Sequence, residues 1–192
     1  FPDEGKVISG GNFHGEPIAL TMDYLSIAMT ELSAIAERRL FILLDENMNN
    51  GLPPMLVGSI QKAGLNSGLM IPQYIAASLV LENRVLATPD SIQSLPTSAN
   101  QEDFNANALA ASKHAFEIIQ NSLFIIAIEM FVAARAIDLR LETQSNYKLG
   151  EKTGNLYKNI RSKAPFKAED SLWNAEIELI HQDLLNHTLI SK

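Results

Sequence analysis

"SLFIIAIEMFVAARAI", residues 122–137, decides the fold of this chain. Apolar side chains fall on nearly every face of the helix it implies, and Glu129 and Arg135 are its only charges. A helix that is hydrophobic all round is a buried one. The pattern extends from about Asp103 to about Leu141, which at 1.5 Å per residue is a rod of about 57 Å. A compact chain of 192 residues has a radius of gyration of about 16 Å and a diameter of roughly 40 Å. The helix is therefore expected to outreach its own chain, with helices from other subunits or from a further segment covering it.

The neighbouring segments are also helical. Residues 1–15 are irregular and Gly-rich, and Glu16-Pro17 then opens a helix, with Pro at the first position and Glu at the positive end of the dipole. From Ile18 to about Asp45, Leu25, Ala28, Met29, Leu32, Ile35 and Ala36 recur at three and four, which predicts a long amphipathic helix. "ENMNNGLPPM" (46–55) stops it. A second helix is expected over about 66–86, with Pro72 as a kink or break near its start. Residues 87–103 form a polar loop with two prolines, long enough to suggest function. Beyond a loop at 142–150, a short helix (about 151–163) and an amphipathic one (about 166–190) close the chain. No strand pattern or repeat appears, so the fold class is all-α.

Composition narrows the function. The net charge is -7, and the basic residues are scattered apart from Arg38-Arg39, which argues against a nucleic-acid partner. The absence of cysteine excludes disulfides, thiolate metal sites and a cysteine nucleophile, and suits the cytoplasm. The apolar run Leu123–Ile128 ends at Glu129, far short of the roughly 20 residues a bilayer needs, so no membrane span is expected. No stretch near Phe1 reads as a signal peptide, and none is expected. It starts at Phe1 without Met, and a missing upstream part is the expectation.

Two stretches carry candidate chemistry. "GGNFHGEP" (10–17) lacks the strand and the Lys-Ser/Thr of a phosphate loop. It is either a helix-opening turn or a loop presenting Phe13 between the hydrogen-bonding Asn12 and His14. "TSANQED" (97–103) fits a capping box, Ser98 with Gln101, and Asn100 or Asp103 could also cap the third helix. Its functional alternative sets Glu102 and Gln101 in a loop as a carboxylate acceptor and an amide beside an apolar pocket. Glu129 is expected to pair with a basic residue of a neighbouring helix, since Arg135 is poorly spaced for it. Arg38 and Arg39 read as surface or interface pairs. His114, His181 and His187 lack metal-ligand spacing, and no metal site, zinc-protease pattern or Ser-His-Asp set is expected.

Taken in order, "GGNFHGEP", "ELSAIAERR" (31–39), "GLPPML" (51–56), "GLNSGLMIPQ" (64–73), "SLPTSANQED" (94–103) and "AIDLR" (136–140) resemble the aromatic amino acid ammonia-lyases. "FHGE" (13–16) and "NQED" (100–103) resemble the histidine-type members, whereas phenylalanine-type members look more like "FQGT" and Asn-Gln-Asp. The resemblance covers all 192 residues and weakens beyond about 140. It implies a long-helix bundle like the fumarase/aspartase superfamily, and a homotetramer with sites built from several subunits. It also implies a methylidene-imidazolone prosthetic group made from an internal Ala-Ser-Gly. No such tripeptide occurs here, so the chain, residues 1–192 as a single domain, is expected to be the C-terminal part of such an enzyme, inactive alone. The implied reaction eliminates ammonia from L-histidine to give urocanate. Phe13 would lie against the prosthetic ring and Glu102 would face the substrate imidazole, as hydrogen-bond acceptor or as acid or base. Met70, His14 and Gln101 would line the substrate pocket. The rival implications are a tyrosine or phenylalanine ammonia-lyase or aminomutase, or a non-catalytic helical assembly module when isolated.

Overall fold

The computed structural model describes residues 1–59, 61, 64–144 and 146–189. Among the described residues five α-helices carry the fold: α1 (Glu16–Leu44), α2 (Met70–Leu86), α3 (Ala108–Thr143), α4 (Glu151–Lys163) and α5 (Asn174–Leu185). Among the described residues there is no strand, and an isolated antiparallel bridge joins Thr97 and Glu102. The fold is all-α, as the periodicities require.

The 36 residues of α3 make it about 54 Å long. It runs parallel to α1: the Ser122 hydroxyl reaches the Met29 carbonyl, the Arg39 guanidinium holds the Glu129 carboxylate, and Arg140 donates to the carbonyls of Asn49 and Asn50. α2 runs antiparallel to α1, because Gln73 meets Glu37 and Asn83 meets Thr30. α5 packs on the far half of α3, where Phe131 meets Trp173 with ring centroids 5.7 Å apart.

This packing corrects one expectation. No residue of 122–137 is exposed, so this single chain covers most of the apolar middle of α3, with Leu123, Phe124, Ile126 and Met130 half-buried. α1 and α2 flank it on one side and α5 with the 164–173 segment on the other, and Ile125, Ile128 and Val132 are fully buried.

The uncovered apolar surface lies on α1 instead. The inward stripe of α1 is Ala19, Asp23, Ser26, Thr30, Ser33, Glu37, Leu40 and Leu44, alternately four and three apart. Ile18, Tyr24, Ile27, Leu32, Ile35, Phe41 and Ile42 point outward and are exposed. The apolar set expected to face the core is therefore largely on the wrong side, and of it only Ala36 is fully buried. The polar stripe can go inside because its groups are bonded. Thr30 donates to the Ser26 carbonyl, Ser33 to the Thr30 carbonyl, and Asn83 of α2 donates to Ser33 and Ser122. By length and composition α1 is also apolar enough to cross a membrane, which the run at 123–128 did not suggest. Its inward stripe nevertheless carries Asp23, which accepts the Asp90 and Ser91 amides, and Glu37, which accepts from Gln73 of α2.

Helices α2, α3 and α5 all start later than the periodicity suggests, and for α2 and α5 the reason is local. The Ser67 and Gly68 amides, where α2 was expected to begin, donate instead to the Asp170 carboxylate at 2.6 and 3.0 Å. Helix α2 thus opens at Met70, and Pro72 sits in its first turn, where no amide partner is needed, so the helix neither kinks nor breaks. Residues 164–173, of which 166–173 were expected to be helical, run outside any helix. They are held by buried Arg135, which donates to the carbonyls of Leu56 and Lys167. Gly58 permits this approach, since a Cβ there would lie 2.2 Å from the Ala168 carbonyl oxygen.

Candidate functional site

The Gly-rich stretch docks on the start of α3. Gly15 caps α1, and a Cβ at this position would lie 2.8 Å from the Cβ of Ala108, the first residue of α3. The Glu16 amide donates to His14 Nδ1 at 3.2 Å, and His14 Nε2 lies 3.2 Å from the Phe104 carbonyl oxygen. The His14 and Phe104 rings are 5.6 Å apart and tilted. Phe13 is fully exposed at this end of the bundle. The turn and the presenting loop, left open by the sequence, coexist: the stretch starts α1 and holds an aromatic ring out in solvent.

The second stretch does not cap α3. Thr97 and Glu102 pair through their backbones, at 2.8 and 3.3 Å, around a short turn. Ser98, Ala99 and Asn100 have φ of 50°, 54° and 70°. Such left-handed backbone costs a non-Gly residue about 1–2 kcal/mol, and strain of this kind gathers at functional sites. Helix α3 starts at Ala108 behind Asn107, itself left-handed, with no side-chain cap. The Ser98–Gln101 capping box is thus overturned, because Ser98 is committed to the turn. Gln101 and Glu102 are left exposed at its exit.

The loop carrying them is clamped to α1. Asp23, buried on the α1 stripe, accepts the amides of Asp90 and Ser91 at 3.2 and 2.9 Å. Asn107 donates to the Asp90 carbonyl at 3.0 Å, and the Asn105 amide donates to the Ser94 hydroxyl at 2.9 Å. Phe13, His14, Gln101 and Glu102 therefore share one end of the bundle, joined at the His14–Phe104 contact.

Met70 does not share it. It opens α2, three residues before Gln73, whose side chain donates to Glu37. Glu37 is 21 residues along α1 from Glu16, a separation of about 30 Å. Within one chain Met70 and Glu102 cannot line one pocket.

Sequence reasoning missed the Asp23 clamp and the left-handed turn. It also missed Glu16, whose Oε2 is buried without a hydrogen-bond partner among the described residues. Asp23 left a weak signal as a carboxylate inside an apolar period, whereas the turn left none. Glu129 meets Arg39 of α1, a basic partner on a neighbouring helix as expected. Among the described residues no group of three or more His, Asp and Glu side chains is placed to hold a metal. A cavity of about 780 Å³ between α4 and α5, lined by Lys158, Lys163 and Asp183, touches none of the site candidates.

Comparison with known proteins gives a consistent result. The family model "Aromatic amino acid lyase" matches residues 1–162. The chain is 45% identical, over its whole length, to a histidine ammonia-lyase of Natranaerobius thermophilus, of which it covers 36%. Among solved structures it superposes on histidine ammonia-lyase of Trypanosoma cruzi with a TM-score of 0.86 and 37% identity, covering 98% of this chain and 36% of that one. It superposes equally on tyrosine aminomutase of Streptomyces globisporus, with a TM-score of 0.87 and 34% identity, covering 97% of this chain and 34% of that one. The chain thus spans about a third of the length of the relatives it matches.

Proposed function

The chain belongs to the aromatic amino acid lyase family, and on that premise we propose that it is the C-terminal helical part of a histidine ammonia-lyase. The intact protein would eliminate ammonia from L-histidine to give urocanate. The observation that carries this reading is the junction of the Phe13-His14 loop with the Gln101-Glu102 turn at one end of the bundle. It sets an exposed aromatic ring and an exposed carboxylate on one surface, ready to face a substrate that a further chain segment brings.

The methylidene-imidazolone implied by the family would be an electrophile that captures the substrate amine. Its Ala-Ser-Gly source is not in residues 1–192, so it would come from outside this sequence. The residues present suit it, since the exposed Phe13 ring offers an apolar face with no partner of its own. Glu102 would accept the imidazole N–H of histidine and orient the ring, or carry a proton, and Gln101 would offer its amide beside it. Met70, about 30 Å from that end of its own chain, would line the pocket of a second copy. A homotetramer fits that need and would cover the exposed apolar face of α1, which we assign to protein rather than to lipid. The lack of cysteine suits a cytoplasmic setting.

The test is turnover by the intact protein, offered L-histidine, L-tyrosine and L-phenylalanine separately, with the unsaturated acid followed by absorbance. Urocanate from histidine is expected, and Glu102→Gln should cripple that reaction. The likeness to tyrosine aminomutase favours a second reading, an aryl-specific lyase or aminomutase. Product from tyrosine alone, little affected by Glu102→Gln, would replace the first reading with it.

A further inference from the structure

His14 was expected to line the substrate pocket, but its ring is fully engaged elsewhere. Nδ1 accepts the Glu16 amide at 3.2 Å, so it carries no proton. The single proton of the neutral ring then sits on Nε2, which is 3.2 Å from the Phe104 carbonyl and donates to it. One bond is local, spanning two residues, and the other joins segments 90 residues apart. The ring also faces Phe104 at 5.6 Å. Phe13 precedes this side chain directly, and Glu102 lies two residues before its acceptor.

We infer that His14 is a positioning residue, a strut that fixes the Phe13 loop and the Glu102 turn relative to each other, rather than a substrate ligand. Close packing supports the strut from below, where Gly15 abuts Ala108. The left-handed turn at 98–100 gives it a purpose. The strained turn is closed by three backbone bonds of its own, and the Phe104 carbonyl is an anchor just past its exit. The catalytic part of the inference rests on the histidine ammonia-lyase reading, but the strut itself does not.

Two substitutions separate the two bonds. In His14→Asn the side chain still accepts the Glu16 amide but is too short to reach Phe104. In His14→Gln the terminal amide can still donate to the Phe104 carbonyl. In the intact protein, amide hydrogen exchange over residues 97–107 should rise in His14→Asn and stay near the wild-type level in His14→Gln. With histidine as substrate, kcat/KM should fall roughly tenfold or more in His14→Asn and recover to within about threefold in His14→Gln, as a displacement of the order of 1 Å at a reacting group predicts. Equal exchange in the two variants would overturn the strut. Equal loss of kcat/KM, with exchange behaving as expected, would make His14 a substrate ligand after all. If the wild-type protein leaves histidine untouched, the proposed function fails while the exchange comparison still decides the strut.

Discussion

Helices α1 and α3 lie side by side and solve opposite problems. α3 is apolar on nearly all faces, and no residue of its middle is left exposed by its own chain. α1 turns a polar, small-residue stripe inward and leaves Ile27, Leu32 and Ile35 in the open. Apolar content alone therefore does not say which face of a helix is inside. The inner face of α1 holds because every polar member but Ser26 has a hydrogen-bond partner, and because small side chains let α2 and α3 approach. What α1 lacks is a cover for its outer face.

The comparison breaks most sharply at single apolar residues. Ile128→Ala, in the enclosed middle of α3, should cost about 2–5 kcal/mol of folding stability. Ile35→Ala, on the open face of α1, should cost less than about 0.5 kcal/mol in the monomer. Denaturant unfolding of both measures this, and equal losses would mean that Ile35 is already covered. Ile35→Glu extends the test: if second copies cover α1, light scattering should show a smaller species, with helix content unchanged.

A smaller effect probes the polar interior between the two helices. Asn83 is fully buried and takes Ser33 of α1, Ser122 and Asn121 of α3 as partners. Asn83→Ala should cost about 1–3 kcal/mol, the penalty for stranding buried polar partners. A loss below the uncertainty of the unfolding curves would show that the Ser33 and Ser122 hydroxyls are content with their own helical carbonyls. Smaller again is the Arg39–Glu129 pair, which ties α1 to α3 at the rim. Because Arg39 is half-exposed, a double-mutant cycle should give a coupling of about 0.2–1 kcal/mol, declining with added salt.

The same contrast explains what the sequence made legible. The all-round apolar run at 122–137 needs no neighbour to be read as core, because every rotation of the helix buries it. The inner face of α1 was not legible, because Asp23, Thr30 and Glu37 look solvated until Ser91, Asn83 and Gln73 are brought to them by tertiary contact. The candidate site divides likewise. Phe13 and Glu102 were readable as exposed groups in loops, but the Thr97–Glu102 turn was not, since local preference opposes three left-handed non-Gly residues and favours a cap. The separation of Met70 from that end of its own chain was not legible either, because residue order carries no distance. About 30 Å of helix lies between it and the other candidates.

The smallest and most particular prediction concerns Glu37, one of the two carboxylates of the inner stripe. Burial raises its carboxyl pKa, but hydrogen bonds from Arg38 and Gln73 outweigh burial and hold it below its ordinary value of 4.5. A carboxylate lowered by folding contributes stability that is present above its unfolded pKa and lost as pH falls through the folded one. The chain should therefore lose stability from about pH 4.5 downward, and Glu37→Gln should flatten that part of the curve. The neutral amide keeps the volume and can still meet Gln73, so the cost at neutral pH falls mainly on the bond to Arg38. Unfolding followed from pH 3 to pH 7 for both proteins decides the matter. Parallel curves would mean that Arg38, 60% exposed beside Glu37, is too well screened to matter. The burial of a charge on α1 would then be owed to packing against α2 alone.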